Sequence, residues 1–223
     1  MPRVSNDRPM HDVTFRLATS ADIDRVIEIV NAVPGEEAVA LMGTEKLALE
    51  YDEGLVRLDP MPCESRVTVL AQEGDKVVGV LQYQFGDAPH HSRVQVLKLL
   101  VKVLGPVRFV RRFPAIWSRT TVDIDIPTDA LHLTNLHVDA AVQGKQVGTQ
   151  LLEWAECEAR RIGARSMTLT TIPTNVGGIR LYERFGFKTT KTVNSASYEK
   201  HTRIPGRVFM EKEIDLTKED RSI

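Results

Sequence analysis

The chain has 223 residues, with 29 basic and 30 acidic side chains and a formal net charge of −1. A chain of this length buries roughly 70% of its unfolded surface and folds without disulfide or metal; 42% hydrophobic and 26% charged residues is ordinary globular composition. The balance excludes a uniformly basic nucleic-acid binder and an acidic disordered chain. It hides a segregation of charge. Residues 92–120 carry Arg93, Lys98, Lys102, Arg108, Arg111, Arg112 and Arg119 without any Asp or Glu, so a +7 segment sits in a body of net charge −8. Cys63 and Cys157 form neither a disulfide framework nor a zinc-site spacing, so a reduced, cytoplasmic setting and no metal are expected.

Residues 1–12 read as a loose arm that lacks the apolar stretch of a signal peptide. Val13–Leu17 alternates like a half-buried strand. Thr19 or Ser20 offers a cap for a helix through Ile23, Val26, Ile27 and Val30, ended by Pro34-Gly35. A second helix is expected over Glu36–Tyr51, followed by a loop holding Pro60, Pro62 and Cys63. Arg66–Gln72 and Lys76–Tyr83 are strand-like and joined by Glu73-Gly74-Asp75, a hairpin signal. After a polar link at Asp87–His91, helices are expected over Arg93–Leu104 and Val107–Trp117, punctuated by Gly105-Pro106, with Pro114 bending or ending the second. Then come a strand at Leu131–Val138, a long helix at Gln143–Ile162 and a strand at Ser166–Ile172. A helix at Val176–Phe185 and strands at Phe187–Val193 and Arg207–Ile214 precede a charged tail, 215–223. The longest apolar-rich stretch, Val94–Leu104, contains Lys98 and Lys102 and falls short of the ~20 residues a bilayer crossing needs.

Two segments carry chemistry. In the first, Leu136-His137-Val138 runs into Gln143-Gly144-Lys145-Gln146-Val147-Gly148-Thr149. A strand thus turns into a helix whose first turn is rich in Gly and poor in bulk. A helix N-terminus has unpaired N–H groups and about half a positive charge, glycine lets a ligand approach that backbone, and this is how a phosphate or pyrophosphate is held. Lys145 adds a cation. A purely structural turn fits the same residues. The second segment, Asn175-Val176-Gly177-Gly178-Ile179-Arg180-Leu181-Tyr182-Glu183-Arg184-Phe185-Gly186-Phe187, taken alone reads as an amphipathic helix stopped by Gly186.

Together, about 30 residues apart, the two segments resemble the GNAT superfamily of acyl-CoA-dependent N-acetyltransferases. That family's patterns are Gln/Arg-x-x-Gly-x-Gly/Ala and Asn-x-x-Ala/Gly-x-x-Leu-Tyr-Glu-x-x-Gly-Phe. Gln143 and Gly148 match the first; Asn175, Gly178, Leu181, Tyr182, Glu183, Gly186 and Phe187 match the second. The resemblance covers residues 13–214 in order of elements and 131–193 in motif detail. One position departs: the first loop glycine of the pattern falls at Gln146. An amide there still serves a phosphate if φ stays negative.

The resemblance implies one α/β domain of the α+β type over 1–223: a mixed, splayed sheet of about seven strands flanked by helices, with a helical insertion near 86–120. It implies acetyl-CoA as co-substrate and a primary amine as acceptor, attacking the thioester directly. Backbone groups of Leu136, His137 and Val138 would pair with the pantetheine arm. Amides of Gln143, Gly144, Lys145, Gln146, Val147, Gly148 and Thr149 would hold the pyrophosphate. Asn175 would bind the arm or a backbone group near it. Tyr182 falls at the family's acid position, where a phenol can protonate the leaving thiolate. His132 falls at the position of the base, and an imidazole suits proton removal near neutral pH; a satisfied histidine fits it equally. A strand period of two puts His132, Thr134, Leu136 and Val138 on one face and His137 on the other. Asp123 and Asp125 read as solvated loop acids and Cys157 as packing. A non-catalytic acyl-CoA sensor on the same fold is the alternative function.

The family's connection into this strand is short, whereas here roughly 45 residues, Phe85–Ala130, intervene. Gln95, Lys98 and Lys102 form a polar stripe with Val94, Leu97, Leu100, Val101 and Leu104 elsewhere; Arg108, Arg111 and Arg112 cluster opposite Phe109, Val110 and Phe113. Joined at Gly105-Pro106, such helices make a helical hairpin whose apolar faces need cover. Three roles compete: a lid or homodimer contact, a flap over the acceptor, and peripheral docking on an anionic membrane. Nucleic acid is not expected as a partner.

Overall fold

The computed structural model describes residues 13–58, 61, 66–86 and 93–217. The arm 1–12, the loop with Pro60, Pro62 and Cys63, the link Asp87–His91 and the tail beyond Thr217 lie outside the described residues. Seven strands form one mixed sheet: β1 (Thr14–Leu17), β2 (Arg66–Glu73), β3 (Lys76–Phe85), β4 (Ala130–Val138), β5 (Ser166–Thr171), β6 (Lys188–Asn194) and β7 (Gly206–Glu213), in the order β1-β2-β3-β4-β5-β7-β6. Only β4 and β5 run parallel. Among the described residues, seven α-helices flank the sheet: α1 (Ile23–Val30), α2 (Glu36–Met42), α3 (Glu45–Leu58), α4 (Arg93–Ser118), α5 (Val147–Arg161), α6 (Val176–Arg184) and α7 (Ala196–Thr202). The mixed, helix-flanked sheet and the helical insertion agree with the sequence expectation.

Three local features differ from it, while the two insert helices punctuated at Gly105 are as expected. The helix expected over Glu36–Tyr51 is two helices, because Gly43 takes a left-handed conformation (φ 93°) that closes α2. The Arg112 guanidinium lies where a side chain at Gly43 would start. The two expected insert helices meet at a kink at Gly105 (φ 69°, ψ 160°), and Pro114 lies inside α4 without ending it. The long helix begins only at Val147, after a single 3₁₀ turn at Ala140–Val142. Helix α7 was not expected at all; Ser195 caps it by accepting from the Tyr198 N–H.

Two cores pack on the sheet. On one face Val69, Leu81, Tyr83, Leu131, Leu133, Met167 and Met210 meet Leu151, Leu152 and Ala155 of α5. On the other, Leu70, Val77 and Val80 meet Val26, Ile29 and Val30 of α1 and Val56 of α3. A third cluster joins α4 to α2 and α3 through Met42, Ala48, Leu100 and Leu104. At the far end of the sheet Val122, Tyr198 and Ile204 pack with Ile172, the residue after β5.

Candidate active site

The parallel ladder between β4 and β5 is short. It runs from Ala130↔Ser166 to Leu133↔Leu169 and stops, although β4 continues to Val138 and β5 to Thr171. Burial changes at the same point. Ala130 to Leu133 are buried, Thr134 is exposed and Asn135 to Val138 are partly open. The two strands therefore separate into a wedge with free edges, and an unpaired strand edge is a template for an extended ligand.

A β-bulge sits where the wedge opens. Leu133 pairs with Tyr83 and Asn135 with Gln82, which leaves Thr134 as the extra residue. The bulge breaks the period of two, so the sequence expectation for this strand is corrected. Leu131 and Leu133 share the α5 face with Leu136 and Val138. His132 stands opposite Gln84, Asn135 opposite Gln82 and His137 opposite Val80, so both histidines point to the α1 face. That face is polar at its centre. Asn135 Nδ2 donates to Gln82 Oε1 at 2.6 Å, and Gln82 Nε2 donates to the Thr68 hydroxyl at 3.1 Å. His132 is buried, with Nδ1 2.9 Å from the Thr168 hydroxyl on β5. It stands one residue before the last rung of the ladder. Burial pushes the His137 imidazole below its ordinary range, keeping it neutral.

Beyond Val138 the chain turns through Asp139, whose carboxylate accepts from the Ala141 N–H and pairs with Arg25 of α1 at 3.0 Å. Gln143 Nε2 donates to the Val138 carbonyl at 3.3 Å. The amides of Gln143 and Lys145 are spent inside the turn, on the carbonyls of Ala140 and Val142. The first intrahelical bond of α5 is Gln150 N–H to the Gln146 carbonyl, so the N–H groups of Val147, Gly148 and Thr149 point out of the helix end unpaired. Gly144 is left-handed (φ 80°). So is Gln146 (φ 67°). The negative φ on which the sequence reading relied does not occur: Gln146 adopts the glycine conformation of the pattern, at a cost of roughly 1–2 kcal/mol. Lys145 is exposed beside it.

Helix α6 starts on the far side of the wedge. The Asn175 side chain caps it, accepting from the Gly178 N–H at 3.1 Å and donating to the Thr171 hydroxyl at 3.1 Å, which ties α6 to the end of β5. A Cβ at Gly178 would collide with that side chain. Tyr182 packs edge-on against Phe187 with ring centroids 5.9 Å apart. Burial pushes its hydroxyl up to about 12, and it forms no hydrogen bond among the described residues.

A second group of titratable residues escaped the sequence reading. Glu37 of α2 accepts from Tyr198 Oη at 2.5 Å and Arg207 at 2.8 Å, and pairs with Arg119 at 3.1 Å. Burial, with the Glu37 charge adding to it, raises the Asp52 carboxyl on α3 to about 6. Burial likewise raises Tyr51. Because Ile172, the residue after β5, packs against the apolar cluster of Val122, Tyr198 and Ile204, this group lies near the open end of β5. Its members come from α2, α3, the turn after α4, α7 and β7, so no sequence window contains the pattern. Asp123 and Asp125 are exposed, and Asp123 pairs with Arg119. Cys157 lies mid-way along α5. Among the described residues no group of His, Cys, Asp and Glu has the arrangement of a metal site. A cavity of about 700 Å³ lies at the C-terminal end of α5, lined by Tyr83, Trp154, Glu158 and Arg161, away from the unpaired amides.

Residues 43–187, the span that holds the splayed strands and the unpaired helix-end amides, match the model of the acetyltransferase (GNAT) family. The chain belongs to this family. An uncharacterized N-acetyltransferase of Schizosaccharomyces pombe is 32% identical over 82 residues, which is 37% of this chain and 47% of that protein. The chain thus spans about half the length of that curated relative. The ribosomal-protein-S18-alanine N-acetyltransferase of Escherichia coli superposes with a TM-score of 0.53 at 15% identity, over 95% of this chain and 100% of that one. An acetyltransferase of Salmonella typhimurium solved with acetyl-CoA gives 0.51 at 21% identity, over 94% and 99%. At these identities the likeness shows the GNAT fold.

Proposed function

We propose that this GNAT protein is an N-acetyltransferase that takes acetyl from acetyl-CoA and delivers it to a primary amine by direct attack. The observation that carries the reading is the wedge itself: the ladder stops at Leu133↔Leu169, and the free edge of Leu136 to Val138 leads into the unpaired amides of Val147, Gly148 and Thr149. An extended pantetheine arm fits the edge as an added strand does, and a pyrophosphate suits the helix end, with Lys145 adding charge. The residues present fit the coenzyme. When bound, it supplies the activated acetyl group.

The chain's own groups then have three tasks. Tyr182 is protonated at neutral pH, as any phenol is, and is the candidate donor to a nascent thiolate. Burial raises its hydroxyl to about 12, which makes it a weaker acid, so the donation relies on its position and not on this shift. His132, at the closed end of the wedge, takes the proton of the attacking amine. In the cluster near the open end of β5, Glu37 is neutralised by Arg119 and Arg207, so Asp52 is the carboxyl that would meet the acceptor amine. Asp52 is the second candidate for the base, favoured by a carboxyl near 6 that forms no hydrogen bond among the described residues.

Calorimetry with acetyl-CoA, followed by coenzyme-release assays over a panel of amines, tests the reading. Tyr182→Phe is expected to lower kcat by about 10²-fold while coenzyme affinity holds. Equal turnover removes the acid role. The acid limb of the kcat/KM profile should vanish in His132→Gln if His132 is the base, and in Asp52→Asn if Asp52 is. Coenzyme binding without transfer to any amine would favour the sensor reading.

A further inference from the structure

Helix α4 presents a surface that the acetyl-transfer reading does not use. Among the described residues, eleven large apolar side chains are well exposed, and seven of them are on α4: Val94, Leu97, Val101, Val107, Val110, Phe113 and Trp117. Exposure is high, reaching 71% at Val107, 70% at Val110 and 62% at Trp117. They are not scattered. Val94, Leu97 and Val101 follow helical spacing along one stripe, with exposed Lys98 and Lys102 beside it, while Leu100 and Leu104 on the reverse are buried against α2 and α3. Past the kink at Gly105, Val107, Val110, Phe113 and Trp117 continue an outward stripe, with Ala115 buried on the other side. Phe113 stacks on Trp117 with centroids 5.8 Å apart.

We propose that α4 docks the protein on an anionic lipid surface, with its exposed apolar stripes seated among the headgroups and its lysines over lipid phosphates. The argument is charge complementarity combined with exposed apolar area. The segment 92–120 carries seven cations and no acid. Arg112 turns inward and Arg119 is paired with Glu37 and Asp123, but the exposed Lys98, Lys102, Arg108 and Arg111 would still set like charge against like charge if a second copy met this face across a two-fold axis. A lipid surface supplies the opposite sign. It also takes up the Val, Phe and Trp side chains, which a nucleic-acid backbone would leave in water. No described helix is long and apolar enough to cross a membrane, and the kink at Gly105 suits two short segments lying in the interface. Arg112 turns inward over Gly43, and with Arg108 and Arg111 it lines a cavity of about 370 Å³ at the corner between α2 and α3. The outward charge near the first stripe is therefore that of Lys98 and Lys102.

The test is co-sedimentation of the full chain with phosphatidylcholine vesicles, with and without phosphatidylglycerol, at low and high salt. The protein should pellet only with the anionic vesicles and only at low salt. Lys98→Glu with Lys102→Glu should weaken partitioning by about tenfold or more, and Val110→Glu with Trp117→Glu should abolish it. All four positions are exposed, so unchanged thermal melts will show that the variants fold. Three results overturn the proposal: no pelleting with anionic vesicles, equal pelleting with neutral ones, or unchanged partitioning in both variants. A dimer in sedimentation equilibrium that Val110→Glu dissociates, while anionic vesicles leave the protein in the supernatant, would assign the face to a second copy instead.

Discussion

The corner between β4 and α5 and the surface of α4 solve opposite problems. At the corner, side chains are buried and backbone is left open: Val147, Leu151 and Leu152 vanish into the core while three successive amides face out. On α4 it is apolar side chains that are left open, along two helical segments that meet at Gly105. The first arrangement depends on conformation, so it requires Gly144 and Gln146 to take left-handed φ and tolerates little change. The second depends on composition, so its residues can be exchanged without disturbing the fold. The proposed acetyl transfer uses the conformational site, and the proposed membrane docking uses the compositional one.

That contrast can be broken most sharply by stability measurements. Leu151→Ala beneath the corner should cost about 3 kcal/mol in urea denaturation, whereas Val110→Ser on α4 should stay within about 0.5 kcal/mol. Similar losses at both positions would mean that α4 is part of the core. The next effect is pH dependence under the insert. Asp52 binds its proton more tightly folded, at about 6, than unfolded, at about 3.9. Its stabilising contribution is full below about pH 4 and is lost as pH rises through 6, an amount on the order of 3 kcal/mol. Asp52→Asn should therefore raise stability at pH 7 by about that much and flatten the pH 4–6 slope; an unchanged slope would refute the burial of this carboxyl. The smallest effect is at the corner itself. Gln146→Gly relieves the left-handed φ but frees the unfolded chain, for a net gain of about 0.5–1 kcal/mol in thermal unfolding. Acetyl-CoA affinity should hold, because the backbone already has the required direction.

The order of strands, the helix ends at Gly163 and Gly186 and the paired motifs were legible in the sequence because each is a local pattern. Gln143, Gly148, Asn175 and Tyr182 stand out through the family resemblance that pairs the two segments, not through either segment alone. The two-faced geometry of β4 was not legible: one inserted residue, Thr134, reverses the parity of everything after it, and no side chain announces a bulge. Helix α7 was missed because its seven residues carry only Ser195 as a local start signal. The Glu37 cluster was missed because five separate elements contribute to it.

By itself, the sequence determined the segregation of charge, the succession of strands along the chain and the residues of the two family motifs, since periodicity and composition act over a few residues. Only the tertiary structure decided where the β4–β5 ladder stops, that both histidines share one face, and that the apolar stripes of α4 remain uncovered. Those outcomes depend on pairing register and on which helix covers which face, and both are set by contacts between segments far apart in the chain.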